Sequence, residues 1–126
     1  MQLEPFSVGA RIRSFRHALR GISATLSTQH NAWIHAAATT AAVAAAVALR
    51  IDRMEWLAVV LAIMAVWTAE GLNTAFEALC NVASPEFHPL VERAKDVAAG
   101  AVLISAIGAA VVGLLVFGPR LLALWG

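Results

Sequence analysis

The sequence predicts an all-α membrane protein, with an N-terminal amphipathic helix at the membrane interface followed by three transmembrane helices in one domain spanning residues 1–126. Three observations carry this. Of the 126 residues, 60% are hydrophobic and only 13% charged, about half the charged share of a soluble domain. Mean hydropathy is +0.76, and a water-facing surface would need many more polar groups than that allows. Finally, three long apolar segments follow one another with short polar breaks between them.

The interfacial helix is expected over about residues 9–28. Ile12, Phe15, Leu19, Ile22 and Leu26 fall on one side at ~100° per residue, while Arg13, Arg16 and Arg20 fall on the other. That pattern suits a helix lying in the headgroup region, with its arginines toward anionic lipid or phosphate. Arginines interrupt the first 30 residues and no continuous apolar core forms, so a cleaved signal peptide is not expected.

The first span is expected over about 32–50. It carries no charge from Ala32 to Leu49, and its many alanines favour close helix approach over lipid contact, with His35, Thr39 and Thr40 facing protein. Arg50, Ile51, Asp52 and Arg53 make a polar break. A second span follows over about 54–80, and the prolines of Ser84-Pro85-Glu86-Phe87-His88-Pro89 end it in a polar loop. Residues 89–95 read as a short return to helix before the third span, about 96–124, where Ala101, Ser105, Ala109 and Gly113 form a small-residue stripe.

Charge sets the expected orientation. Arg11, Arg13, Arg16, Arg20, Arg93 and Lys95 fall on one side of the membrane, against Arg50, Arg53 and Arg120 on the other. The positive-inside rule therefore makes the N-terminus and the proline loop cytoplasmic. Nine Lys plus Arg against eight Asp plus Glu give a net charge of +1, which leaves no excess for a nucleic-acid partner. The single cysteine, Cys80, cannot form an internal disulfide, and the sequence carries no zinc-site signature.

The second span contains residues that a bilayer ordinarily excludes. A carboxylate near the centre of a spanning helix costs at least ~2.5–3.5 kcal/mol, yet Glu70, Asn73 and Glu77 share one helical face. Two acids this close need a cation, a base or a raised pKa. Lys95, the only lysine, adjoins Asp96 at the start of the third span. Carboxylates for a divalent metal, a cation for phosphates and a base for an attacking hydroxyl are the parts of phosphoryl transfer. A lone intramembrane Asn would favour interhelical hydrogen bonds in an oligomer, but two glutamates weaken that reading; by composition alone, an ion or proton pathway fits nearly as well as phosphoryl transfer. No P-loop is present: Gly108 and Gly113 have the spacing but are followed by leucines inside a span.

The runs A-E-G-L-N-T-A-F-E from Ala69 to Glu77, S-P-E-F-H-P-L from Ser84 to Leu90, and R-A-K-D-V-A-A-G-A-V-L from Arg93 to Leu103 resemble the small prokaryotic diacylglycerol kinase and undecaprenol kinase family. S-F-R-H-A-L-R-G in the N-terminal helix agrees, and the resemblance extends over nearly the whole chain. P-E-F-H-P-L and N-x-x-I-H look more like the undecaprenol branch. The resemblance implies a homotrimer with shared sites in the cytoplasmic (inner) membrane of a prokaryote. It also implies ATP and Mg²⁺, with a membrane lipid hydroxyl, of undecaprenol or diacylglycerol, as phosphoryl acceptor.

Position by position, it implies Glu70 as the base, Asn73 as its positioning partner and Glu77 as the magnesium ligand. Lys95 and Asp96 would engage the nucleotide, and Glu86, Phe87, His88 and His17 would line its pocket. Ala99 would leave room for the lipid head beside Glu70. Two positions depart from the family's pattern: Gln29 stands where a metal-sharing glutamate is usual, and Asn81 where many members have aspartate. An amide oxygen still coordinates a hard cation but adds no charge. The alternative is a catalytically weakened member acting as a lipid-binding or structural trimer.

Overall fold

The computed structural model describes residues 5–126, and residues 1–4 of the expected single domain lie outside it. Four helices follow in order: α1 (Val8–Thr28), α2 (His30–Ala48), α3 (Arg53–Ala83) and α4 (Pro89–Trp125). The described structure is all-α, and α2, α3 and α4 are each long and apolar enough to cross a membrane.

Helix α1 begins where the Ser7 hydroxyl accepts the Ala10 N–H at 3.3 Å. Its apolar stripe, Phe15, Leu19 and Ile22 included, is exposed, as an interfacial helix requires. One extended residue, Gln29, separates α1 from α2. Helix α2 closes on Leu49 through a Schellman turn, in which Arg50 N–H donates to Val47 O and Ile51 N–H to Ala46 O. Arg50 takes the left-handed conformation at φ 51°, where glycine is usual. Ile51 and Ala46 then pack together in the core, with Val59 and Val116.

The Asp52 carboxylate caps α3 by accepting the Glu55 N–H at 2.9 Å. Arg120, near the end of α4, closes the same end of the molecule. It donates to both Glu55 carboxylate oxygens at 2.7 and 2.9 Å and to the carbonyls of Leu49 and Arg50. A bidentate guanidinium thus satisfies one carboxylate and the free carbonyls at the end of α2 together.

Helix α3 has 31 residues and α4 has 37, so they run about 46 and 55 Å, well beyond a ~30 Å hydrocarbon layer. The expected short return to helix is not a separate piece. His88 caps α4 by accepting the Leu90 N–H on Nδ1, Pro89 occupies the first turn, and nothing breaks the helix before the third span begins. Helix α4 also continues through Pro119.

Two expectations are corrected. Thr40 is exposed on the single chain, and its hydroxyl is satisfied by its own helix, donating to Ala36 O at 2.8 Å. In the small-residue stripe of α4, Ser105, Ala109 and Gly113 are half-buried but Ala101 is exposed. Val102 and Val116 are the buried positions of that helix. A methyl group added at Gly113 would meet only the Phe117 ring at 4.0 Å, so close helix approach within this chain does not require glycine there.

Candidate functional site

The polar face of α3 builds the site. Glu70 is the most enclosed large side chain among the described residues, at 1% exposure, and Asn73 is buried one turn along. Glu77, half-buried, follows a turn later. All three line one cavity of about 310 Å³, closed on the α4 side by Ala99, Val102, Leu103 and Ala106. That size is at the lower end of small-molecule pockets.

The remaining wall comes from the joint between α1 and α2. Gln29 and Asn31 line the cavity there, followed by Ile34 and His35. The Gln29 side chain makes no cap hydrogen bond to α2, so its amide is available to the cavity. The first turn of α2 carries no acidic residue and no side-chain cap, so the positive end of its dipole at this wall is not neutralised locally.

Within the cavity, His35 Nε2 stands 3.2 Å from Glu70 Oε2. The pair is not aligned as a hydrogen bond, so His35 Nε2, both Glu70 carboxylate oxygens and Asn73 Oδ1 are buried without hydrogen-bond partners. Such groups are rare in folded proteins and call for a water, an ion or a ligand to complete the bonding. His35 and Asn31 are the polar lining residues whose part the sequence reading missed, and their four-residue spacing on the cavity face of α2 was the available signal.

Toward the proline-loop ends of α3 and α4, Lys95 Nζ donates to Asn81 Oδ1 at 3.0 Å. Asn81 lies one turn beyond Glu77 on the same face of α3, and Lys95 one turn before Ala99 on α4, so this bond fixes the register of the two helices. Asp96 is exposed beside Lys95. Glu86, Phe87 and His88 are exposed in the proline loop, and His17 is exposed on α1. None of these four residues, nor Lys95 or Asp96, lines the Glu70 cavity. The structure thus brings together Glu70, Asn73, Glu77, Gln29 and Ala99. It leaves the expected nucleotide-pocket residues of the loop and α1 apart from them.

Ile34, His35 and Ala106 also line a second cavity of about 330 Å³, an apolar one between α2, α3 and α4 that extends to Phe117. Polar and apolar spaces therefore meet at His35.

Three apolar helices, each able to cross a membrane, and a cavity lined by buried acidic and amide side chains define a multi-pass membrane protein with a polar site among its helices. The chain belongs to the prokaryotic diacylglycerol kinase family, whose sequence profile matches residues 16–117, and is thereby a lipid kinase that uses ATP. It is similar to the undecaprenol kinase of Bacillus subtilis (strain 168), with 39% identity over 109 residues, 86% of this chain and 89% of that protein. It is also similar to the diacylglycerol kinase of Synechocystis sp. (strain ATCC 27184 / PCC 6803 / Kazusa), at 38% identity over 112 residues, 88% of this chain and 64% of that protein.

Proposed function

We propose that the chain transfers the γ-phosphoryl group of ATP to the hydroxyl of undecaprenol at the cytoplasmic membrane surface, as a magnesium-dependent homotrimer. The observation that carries this is the cavity in which an unpartnered, buried Glu70 shares a wall with Asn73, Glu77 and Gln29. Glu70 accepts the lipid hydroxyl's proton as the new O–P bond forms and the bond from the γ-phosphorus to the β–γ bridging oxygen of ATP breaks, releasing ADP. Asn73 orients the hydroxyl. Lys95 and Asp96 engage the nucleotide, with Lys95 leaving Asn81 for phosphate oxygens. Glu86, Phe87, His88 and His17 complete the nucleotide pocket across the trimer. The apolar cavity that adjoins at His35 supports an acceptor with a long hydrocarbon chain.

Among the described residues, no three His, Cys, Asp or Glu side chains cluster closely enough to hold a metal alone. One carboxylate, Glu77, and one amide oxygen, Gln29, line the same cavity. That pair fits a magnesium ion that keeps its waters and shares nucleotide phosphates. When bound, the ion would supply positive charge against that developing on the phosphate oxygens.

Coverage of 89% of an undecaprenol kinase favours the polyprenol acceptor. The second similarity keeps diacylglycerol as the alternative acceptor. Purified protein in lipid, given labelled ATP, Mg²⁺ and each lipid in turn, separates them. Label in undecaprenyl phosphate is expected. Label in phosphatidate alone selects the second acceptor, and no label in either indicates the binding or structural trimer.

A further inference from the structure

The role of Glu70 as base, on which this inference rests, leaves His35 unexplained. Its Nε2 is 3.2 Å from Glu70 Oε2, with side-chain exposures of 13% and 1%, and no described residue supplies either group with a hydrogen bond. The imidazole is held from behind. Trp67 packs against it edge-on, with ring centroids 6.3 Å apart at 70°, and the Trp67 indole N–H donates to Thr39 Oγ1 at 2.9 Å. Thr39 lies one turn beyond His35 on α2, and Trp67 just under one turn before Glu70 on α3. Two successive rungs thus cross the α2–α3 contact, the Trp67–Thr39 hydrogen bond and the 3.2 Å His35–Glu70 approach. The other titratable group on the cavity wall is Glu77, also on α3. Helix α4 contributes only Ala99, Val102, Leu103 and Ala106, and the α1–α2 joint contributes the amides Gln29 and Asn31. No lysine or arginine of the described chain lines the cavity to compete for the carboxylate.

We propose that His35 is a positioning residue: its Nε2–H donates to Glu70 Oε2 and holds the carboxylate in the rotamer that presents Oε1 to the lipid hydroxyl. A misplaced base costs rate rather than nucleotide affinity, so His35→Leu is expected to lower kcat about a hundredfold with the KM for ATP unchanged. His35→Gln, whose amide N–H reaches the same oxygen, is expected to restore most of the loss. Melting in detergent checks that both variants fold. A readout independent of turnover comes from ¹⁵N-histidine spectra of the protein in lipid. The resonance removed by His35→Gln is expected to report a protonated Nε2 and to move in Glu70→Leu. Wild-type kcat in His35→Leu, equal inactivity of folded His35→Gln and His35→Leu, or a His35 resonance indifferent to Glu70→Leu would each overturn the proposal. A native chain that phosphorylates no lipid would overturn the reading of the site instead, and the ¹⁵N shift would still decide the pair.

Discussion

Gln29 carries the most individual information in this chain. It is the only residue between α1 and α2, its side chain makes no cap bond, and it lines the cavity opposite Glu77. In the proposed metal shell an amide there would supply an oxygen without charge, leaving Glu77 and the phosphates as the charged ligands. Gln29→Glu is expected to lower the Mg²⁺ concentration giving half-maximal lipid phosphorylation. A metal titration identical to that of the native chain would remove Gln29 from the metal shell. The Glu70, Asn73 and Glu77 stripe was legible in the sequence because helical spacing alone puts these residues on one face. His35 was not, since one histidine in an alanine-rich span reads as ordinary packing until the Glu70 contact across helices is seen. Nor did the sequence reveal that Asn81 is the direct partner of Lys95, because that contact depends on the register of α3 against α4.

The helix joints carry their own predictions. Arg50 closes α2 in a left-handed conformation at φ 51°, which costs an L-residue with a side chain roughly 1–2 kcal/mol. Part of that returns as glycine's greater unfolded-state entropy, so Arg50→Gly is expected to stabilise the protein by about 0.5–1 kcal/mol. An unchanged or lower melting temperature in detergent would contradict the strain. At the next joint, the Glu55 backbone N–H holds the Asp52 carboxyl below its usual value of 3.8; burial opposes this, and Arg120 adds a smaller effect in the same direction. A carboxyl depressed in the folded state contributes stability above its unfolded pKa and loses it as pH falls through the folded one. The melting difference between the native chain and Asp52→Asn should therefore be present at pH 6 and shrink below about pH 4. A pH-independent difference would mean the cap contributes no charge. The sequence located these breaks but showed neither the Schellman turn nor the Arg120 clasp. Both depend on α4 returning to the end of α2, an arrangement that local patterning does not encode.

Across the molecule, the apolar surface and the acidic cavity have one explanation. Leu61, Leu72, Leu103, Ile104 and Leu114 are all more than half exposed, an arrangement stable in lipid and not in water. Glu70, in contrast, is withdrawn from both lipid and solvent. Composition made the three spans legible, and the A-E-x-L-N-T-A-x-E run made the family legible. The distribution of site residues was less so. The Glu70 cavity forms within one chain, whereas Glu86, Phe87, His88 and His17 lie outside it. A site shared between subunits, as proposed for the trimer, accommodates that separation. On the proposed reading, a carboxylate is buried at position 70 because of its role in taking a proton from a lipid alcohol during phosphoryl transfer. The most direct test of that role compares Glu70→Gln with the native chain, in one membrane preparation, for labelled phosphate transferred to lipid and for nucleotide bound. Transfer lost by at least about a hundredfold, of the order expected for a general base, with nucleotide binding retained, is the predicted result; substantial residual transfer by Glu70→Gln would contradict it.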